Sequence, residues 1–274
     1  MGAALRRAAR PTMLKVGLGI LGVFLILAVF APWVAPSDPN SQNLSNSLAT
    51  PSSEHWFGTD ALGRDILSRV VFGARAAILL VIPAVLVALL VALPFGLLSG
   101  YRGGWTDRSM SVVAEALLTF PSIVLAIILV AVLGTGSFPL LVALVVTQVP
   151  QTFRYVRGFT SQTASAEYVL ASRASGSATG FTVSRHILPN IAGPLVVITS
   201  LLASEAFLMI AALGFLGIGV QPPTAEWGTM LNEARADFTL HPHVMVFPGL
   251  AIATLILAFN ILGDALRDKL DVRS

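Results

Sequence analysis

Residues 165–190 read Ser-Ala-Glu-Tyr-Val-Leu-Ala-Ser-Arg-Ala-Ser-Gly-Ser-Ala-Thr-Gly-Phe-Thr-Val-Ser-Arg-His-Ile-Leu-Pro-Asn, the longest polar island in the second half of a chain otherwise composed for lipid. A helical register runs from Glu167 to Arg173, and Gly176 falls where a left-handed cap would end that helix. His186-Ile187-Leu188-Pro189 then closes the segment before the next apolar run. The spacing predicts two short helices, Glu167–Gly176 and Thr179–Leu188, joined by a turn.

The composition around this island excludes a soluble domain. Of 274 residues, 55% are hydrophobic and 11% charged, with a mean hydropathy of +0.81. A membrane span needs roughly 20 apolar residues. Six stretches qualify, near Val16–Val34, Ala76–Leu98, Met110–Leu133, Phe138–Tyr155, Ile191–Ile218 and Val244–Leu262. In lipid each span must satisfy its own backbone groups, and none of these runs alternates as a barrel strand does. The expectation is an all-α integral membrane protein of about six transmembrane helices, with Pro83, Pro94 and Pro121 kinking two of them.

The basic residues set the expected orientation. With the N-terminus inside, Arg64, Arg69, Arg75 and Arg235 fall outside, and the other 13 of the 17 Lys and Arg residues, Arg6, Arg7, Arg10 and Arg273 among them, fall inside. That asymmetry predicts a multi-pass protein of the plasma (inner) membrane with both termini cytoplasmic, and it reads the basic pI near 9.8 as membrane orientation, with no nucleic-acid partner. The expected order is a cytoplasmic tail (1–15), a first span (16–34), an external segment (35–75), a core of five spans (76–266) that includes a cytoplasmic loop (158–190), and a cytoplasmic tail (267–274). The first span is long enough to stay as an anchor. In the first external segment, Trp56, Phe57, Leu62, Ile66, Leu67, Val70 and Val71 form an amphipathic pattern suited to a helix lying on the membrane surface. The second, 219–243, should turn at Gln221-Pro222-Pro223 and continue into a short helix. Trp33, Trp56, Trp105 and Trp227 read as interfacial anchors.

Anchors for catalysis are missing from the sequence. It has no cysteine, no His-Glu-x-x-His and no Gly-x-Ser-x-Gly. His241 and His243 flank a proline and lack an acidic companion, so they read as surface residues, with no metal site. No Gly-x-x-x-x-Gly-Lys-Ser/Thr loop is present, so nucleotide would have to bind another subunit. Glu115 and Glu205 lie inside expected spans, where charge is costly. They are either snorkelling or locally paired carboxylates, or polar contacts in a translocation path or a subunit interface, a role for which Gln148 and Asn260 are further candidates. Gly214, Gly217 and Gly219 suit close helix packing.

Four blocks carry a resemblance. His55-Trp56-Phe57-Gly58-Thr59-Asp60-Ala61-Leu62-Gly63-Arg64-Asp65-Ile66-Leu67-Ser68-Arg69 is followed by Arg185-His186-Ile187-Leu188-Pro189-Asn190, then by Phe215-Leu216-Gly217-Ile218-Gly219-Val220-Gln221-Pro222-Pro223, then by Asn260-Ile261-Leu262-Gly263-Asp264-Ala265-Leu266-Arg267-Asp268. In this order they resemble the second (C-type) permease subunit of the dipeptide, oligopeptide and nickel family of ATP-binding cassette (ABC) importers. The resemblance spans about Leu14 to Asp271.

It implies a type I importer permease fold with cytoplasmic coupling helices, and it implies no enzymatic activity in this chain. The implied partners are a second permease in a heterodimer, cassette ATPases that hold ATP and Mg, an external substrate-binding protein, and membrane lipid; no cofactor is implied for this chain itself. The implied coupling element falls on Glu167, Tyr168, Leu170, Ala171, Ser172, Arg173, Gly176, His186, Ile187, Leu188 and Pro189. Leu170 and Ser172 depart from the family's Glu-Ala-Ala pattern, which leaves Glu167 and Arg173 as the charged candidates. Peptide is the implied substrate, with nickel or another small solute as alternatives. An ion-gradient-driven secondary transporter is the rival class, and it would call for paired intramembrane ionisable groups and a repeated half.

Overall fold

The computed structural model describes residues 2–271, with side chains from 13 to 269. The side chains of Arg6, Arg7, Arg10 and Arg273 lie outside the described residues. Ten α-helices carry the described chain: α1 (Gly2–Val34), α2 (Ile66–Arg102), α3 (Gly104–Leu118), α4 (Ser122–Leu133), α5 (Ser137–Ala164), α6 (Glu167–Ala174), α7 (Thr179–Thr182), α8 (Leu188–Phe215), α9 (Trp227–Glu233) and α10 (His243–Asp271). The only β pairing among the described residues is an isolated bridge between Thr59 and Asp65.

Four helical stretches are each long and apolar enough to cross a membrane: Met13–Val34, Ile66–Arg102, Thr179–Phe215 and His243–Lys269. The expected span at Met110–Leu133, with its kink at Pro121, is a pair of helices, α3 and α4, bent by 83°. Pro121 explains the break. Lacking an N–H and crowding the residue before it, it cannot continue α3; its carbonyl accepts from Val124 and Leu125 and so starts α4. Pro83 and Pro94, by contrast, are carried inside an unbroken α2. The sixth long path is α5, whose middle holds Thr147, Gln148, Gln151 and Thr152 and is therefore too polar to qualify on apolarity alone. This arrangement is compatible with a six-span type I permease fold.

The centre of the bundle is the α2–α5 pair. Along α2, Ala84, Ala88, Ala92, Gly96 and Gly100 recur every four residues and so share one face. A Cβ on Gly96 would stand 2.6 Å from Val156, and one on Gly100 would stand 2.6 Å from the Arg157 carbonyl. Between helices in lipid no hydrophobic force operates, and close backbone approach by small residues supplies the packing contact instead.

At one end of the bundle, residues 35–65 and 216–243 form a cap. The surface helix expected over Trp56–Val71 is absent. Gly58 (φ +77) and Gly63 (φ +70) hold left-handed turns, and the helix begins only at Ile66, where the Asp65 carboxylate accepts from Ser68 N–H at 2.8 Å and α2 runs straight into the span. Arg64 and Arg69, almost fully buried, both reach Glu233 of α9, at 2.7 and 3.1 Å. Trp227, expected as an interfacial anchor, is a core residue of this cap: it is buried and donates from Nε1 to the Val70 carbonyl at 2.9 Å. Trp33, Trp56 and Trp105 are exposed. His243, expected at the surface, is buried beside Gly58. Gly214 and Gly219 do serve close packing, since a Cβ on Gly214 would collide with Glu226 Oε2.

Candidate functional site

The polar island lies at the opposite end from the cap. Helix α6 carries Glu167 in its first turn and Arg173 in its last, the arrangement that complements a helix dipole. It ends in a complete Schellman cap. Gly176 adopts φ +76, its N–H donates to the Arg173 carbonyl at 3.0 Å, and Ser177 N–H donates to the Ser172 carbonyl at 3.2 Å. The cap turns the chain sharply into α7.

The second expected helix is not a separate piece. From Thr182 the chain passes through one π-helical turn, Val183–Ile187, directly into α8, with Pro189 in the first turn of α8, where its missing N–H costs no intrahelical bond. His186-Ile187-Leu188-Pro189 therefore lies within a continuous helical path from Thr179 to Phe215. The apolar neighbours of Ile187 favour this outcome. Ile187 and Val169 are fully buried in a cluster with Tyr101 of α2, Val156 of α5, and Ile191 and Leu195 of α8, so the segment is seated on three long helices.

The remaining side chains of the segment divide into seat and surface. Arg173 places its guanidinium 4.9 Å from the centroid of the Tyr101 ring, a cation–π contact. Ser172, one of the two departures from the family pattern, places its hydroxyl 3.2 Å from that of Thr182 and so ties α6 to α7. Outward, Tyr168, Leu170 and Phe181 are 47%, 48% and 55% exposed. His186 is half-buried, with its ring 5.8 Å from Phe181 and 6.3 Å from Tyr168. Glu167, Ala171 and Pro189 are exposed or half-exposed at the rim, and Leu188 is half-buried. Together they make a small rigid knob with an apolar crown and charged flanks.

Nearby, an ion pair absent from the sequence reading fastens the start of α3. Arg157 of α5 grips Asp107 with both Nε and Nη2, the latter at 2.6 Å, while Ser99 of α2 donates to the same carboxylate at 2.5 Å. Fifty residues separate Asp107 from Arg157, so no local pattern announces the pair. Sequence reasoning also missed Tyr101, Phe181 and Thr182 as knob residues, although an aromatic such as Phe181 within a polar island is a visible signal.

The four polar candidates within the spans are not brought together as one site. Glu115 is exposed on α3, and Asn260 is half-buried on α10. Gln148 is buried and donates to the Leu202 carbonyl at 3.3 Å; Glu205 is exposed on α8 and accepts from Gln151 Nε2 at 3.2 Å. Among the described residues no group of three or more His, Cys, Asp or Glu side chains is arranged to hold a metal ion.

Comparison with known proteins accounts for this architecture. Residues 92–274 match the model of the binding-protein-dependent transport system inner membrane component, and residues 1–51 match that of the N-terminal TM domain of oligopeptide transport permease C. The chain is 41% identical over 268 residues to the dipeptide transport system permease protein DppC of Alkalihalophilus pseudofirmus, covering 98% of this chain and 88% of that protein. It is 42% identical over 270 residues to the glutathione transport system permease protein GsiD of Escherichia coli and to that of Shigella boydii, covering 97% of this chain and 88% of each. These relatives are transport subunits, as the sequence's lack of catalytic anchors suggests. The chain belongs to the family of inner-membrane permease components of binding-protein-dependent ABC importers, in its dipeptide and oligopeptide C-type branch.

Proposed function

We propose that this chain forms half of the transmembrane path of an ATP-driven peptide importer, paired with a second permease and fed by an external binding protein. ATP and Mg belong to cassette ATPases, since the chain has no phosphate-binding loop of its own. The α6–α7 knob docks on such an ATPase. Both termini and the knob are cytoplasmic, and the cap formed by residues 35–65 and 216–243 is external. A peptide cargo is favoured because relatives of high identity are named for dipeptide and for glutathione, both small peptides.

The observation that carries the reading is the knob itself: a Schellman-capped α6 that exposes Tyr168 and Leu170, turned into α7, which exposes Phe181 and is continuous with the span α8. A rigid element of this kind transmits a push from a docked subunit to the span, whereas a flexible loop would absorb it. The test is purification of the tagged protein from mild detergent. Cassette ATPases and a second permease should co-purify, and substitution of Leu170 and Phe181 by Asp should release the ATPases while the second permease remains. Retention of the ATPases by the Leu170→Asp, Phe181→Asp variant would remove the knob as the docking element. Orientation is tested by single cysteines, because the chain has none of its own: Ser45 and Thr224 should label from outside intact cells once substituted, and Ser177 only after the membrane is opened.

A further inference from the structure

We propose that the seam between α5 and α8 is this chain's wall of the translocation path, and that Glu205 with Gln151 forms a mid-membrane station for the cationic amino terminus of a passing peptide. The proposal rests on the peptide-importer reading above and names the group that the path recognises. Glu205 lies ten residues from the outer end of α8, about 15 Å at 1.5 Å per residue, close to the middle of a hydrocarbon layer roughly 30 Å thick. Its side chain is exposed on the bundle surface. A carboxylate at that depth does not face lipid, so this face of the bundle meets water, substrate or another subunit.

The hydrogen-bonding inventory selects the occupant. Gln151 donates to Glu205 Oε2, which leaves Oε1 to accept from something else. One turn away on α5, Gln148 is buried and its amide nitrogen donates to the Leu202 carbonyl, which fixes the flip of the amide; its Oε1 is buried without a partner. The seam therefore offers an accessible acceptor, Glu205 Oε1, together with a negative charge, and the unpartnered Gln148 oxygen lies buried behind it. An ammonium group has three donors and no acceptor, and it is the terminal group that every unmodified peptide carries.

A passage continues from this point. Toward the knob end, a cleft of about 380 Å³ opens between Tyr155 and Phe159 of α5, Ile198 and Leu201 of α8, and Asp264 and Arg267 of α10. Tyr155 lies one turn beyond Gln151, and Leu201 one turn before Glu205, so the cleft and the acceptor cluster share one seam. Its charged lining at the far end suits an exit to water.

The test uses the assembled importer in proteoliposomes, with its binding protein, ATP and radiolabelled alanyl-alanine as the probe. Glu205→Gln keeps the shape and loses the charge. At saturating binding protein it should lower import about tenfold, the scale of one charge-assisted hydrogen bond. Glu205→Asp should hold import within about threefold of wild type on the same scale, a rescue that a purely structural role would not give. Glu205→Cys should react with a charged, membrane-impermeant methanethiosulfonate while the subunits stay associated. Unchanged import by Glu205→Gln would overturn the station. An unreactive thiol in the Glu205→Cys variant of an intact complex, or loss of the second permease from Glu205→Gln, would overturn it in favour of a contact between subunits. If the wild-type importer moves no alanyl-alanine, the peptide reading falls and the ammonium with it, and thiol reactivity alone then decides whether the seam lines the path.

Discussion

Gly176 is the position at which the knob is most open to a controlled perturbation. Its φ of +76 is ordinary for glycine and costly for a residue with a Cβ, yet a Cβ there would meet no atom within 4 Å, so substitution strains the backbone without a clash. Asparagine tolerates the left-handed region best, alanine costs on the order of 1 kcal/mol, and a β-branched valine costs about 2–3 kcal/mol. At about 1.4 kcal/mol per factor of ten, valine lowers the population of the capped turn roughly 30- to 150-fold relative to glycine. Relaxing φ would also break the bonds from Gly176 and Ser177 to the Arg173 and Ser172 carbonyls. The assay is substrate-stimulated ATP hydrolysis by the complex in proteoliposomes, with amide hydrogen exchange at residues 173–178 as the structural readout. Stimulation should fall in the order Gly, Asn, Ala, Val, with Asn within about twofold of wild type on the same strain scale. Exchange should rise in that order while the spans stay protected. Faster exchange in Gly176→Val together with full stimulation would refute the argument that the rigid knob transmits ATPase closure.

Three further outcomes follow from the packing and from a buried acid. Gly228→Val should unseat α9, because a Cβ there would collide with the Ala211 carbonyl; limited proteolysis between 216 and 243 should speed up sharply, and unchanged cleavage would contradict the close contact. Arg157→Ala strips the Asp107 carboxylate of its bidentate partner and should destabilise the start of α3 by about 1–3 kcal/mol, an effect that Asp107→Asn should partly relieve in the double variant, as a double-mutant cycle on thermal stability would show. Glu226 is buried outside the spans, and burial pushes its carboxyl above the ordinary carboxylate range against the opposing bonds from Gly228 and Thr229. A folded-state pKa raised above the unfolded one gives stability that is fully present below the unfolded value, about 4.3, and lost as pH rises through the folded value. Trp227 fluorescence should therefore report a cap that loosens as pH climbs from about 4 in the wild type; an identical profile in Glu226→Gln would sink the assignment.

Much of this architecture is legible in the sequence because lipid imposes simple rules. Apolar length announces α1, α2, α8 and α10, and the turn chemistry of Gly176 announces the end of α6, since both are local properties of the chain. Local signals mislead where they compete with distant partners. The kink expected at Pro121 is present, but at 83° it divides Met110–Leu133 into two helices, while Pro83 and Pro94, which look equivalent in sequence, are carried inside one continuous α2. Trp227 has the composition of an interfacial anchor, yet its indole finds the Val70 carbonyl 157 residues away, and Gly73 clears the space for the ring. Arg64 and Arg69 count correctly as basic residues near a span end. That Glu233 would bury them both is invisible without the fold.

The two ends of the bundle are built to different stiffness, and the difference bears on how it would work. At the cap, two buried guanidiniums share Glu233, Trp227 is fixed by a hydrogen bond, and Gly214, Gly219 and Gly228 let backbones touch, so moving one element means breaking several buried polar contacts at about 1–3 kcal/mol each. At the knob, α6 is held by the buried Val169, by Arg173 stacked on Tyr101, and by a hydroxyl contact between Ser172 and Thr182. The cation–π contact, at an exposed site, is worth about 0.5–1 kcal/mol. A push on the knob thus breaks fewer buried polar contacts than one on the cap, and the helical path from Thr179 to Phe215 carries it toward a cap that holds its shape. On the coupling reading proposed above, α8 is then a lever with its fulcrum at the cap. The largest displacement falls on its knob-side half, and that half faces the cleft below Glu205.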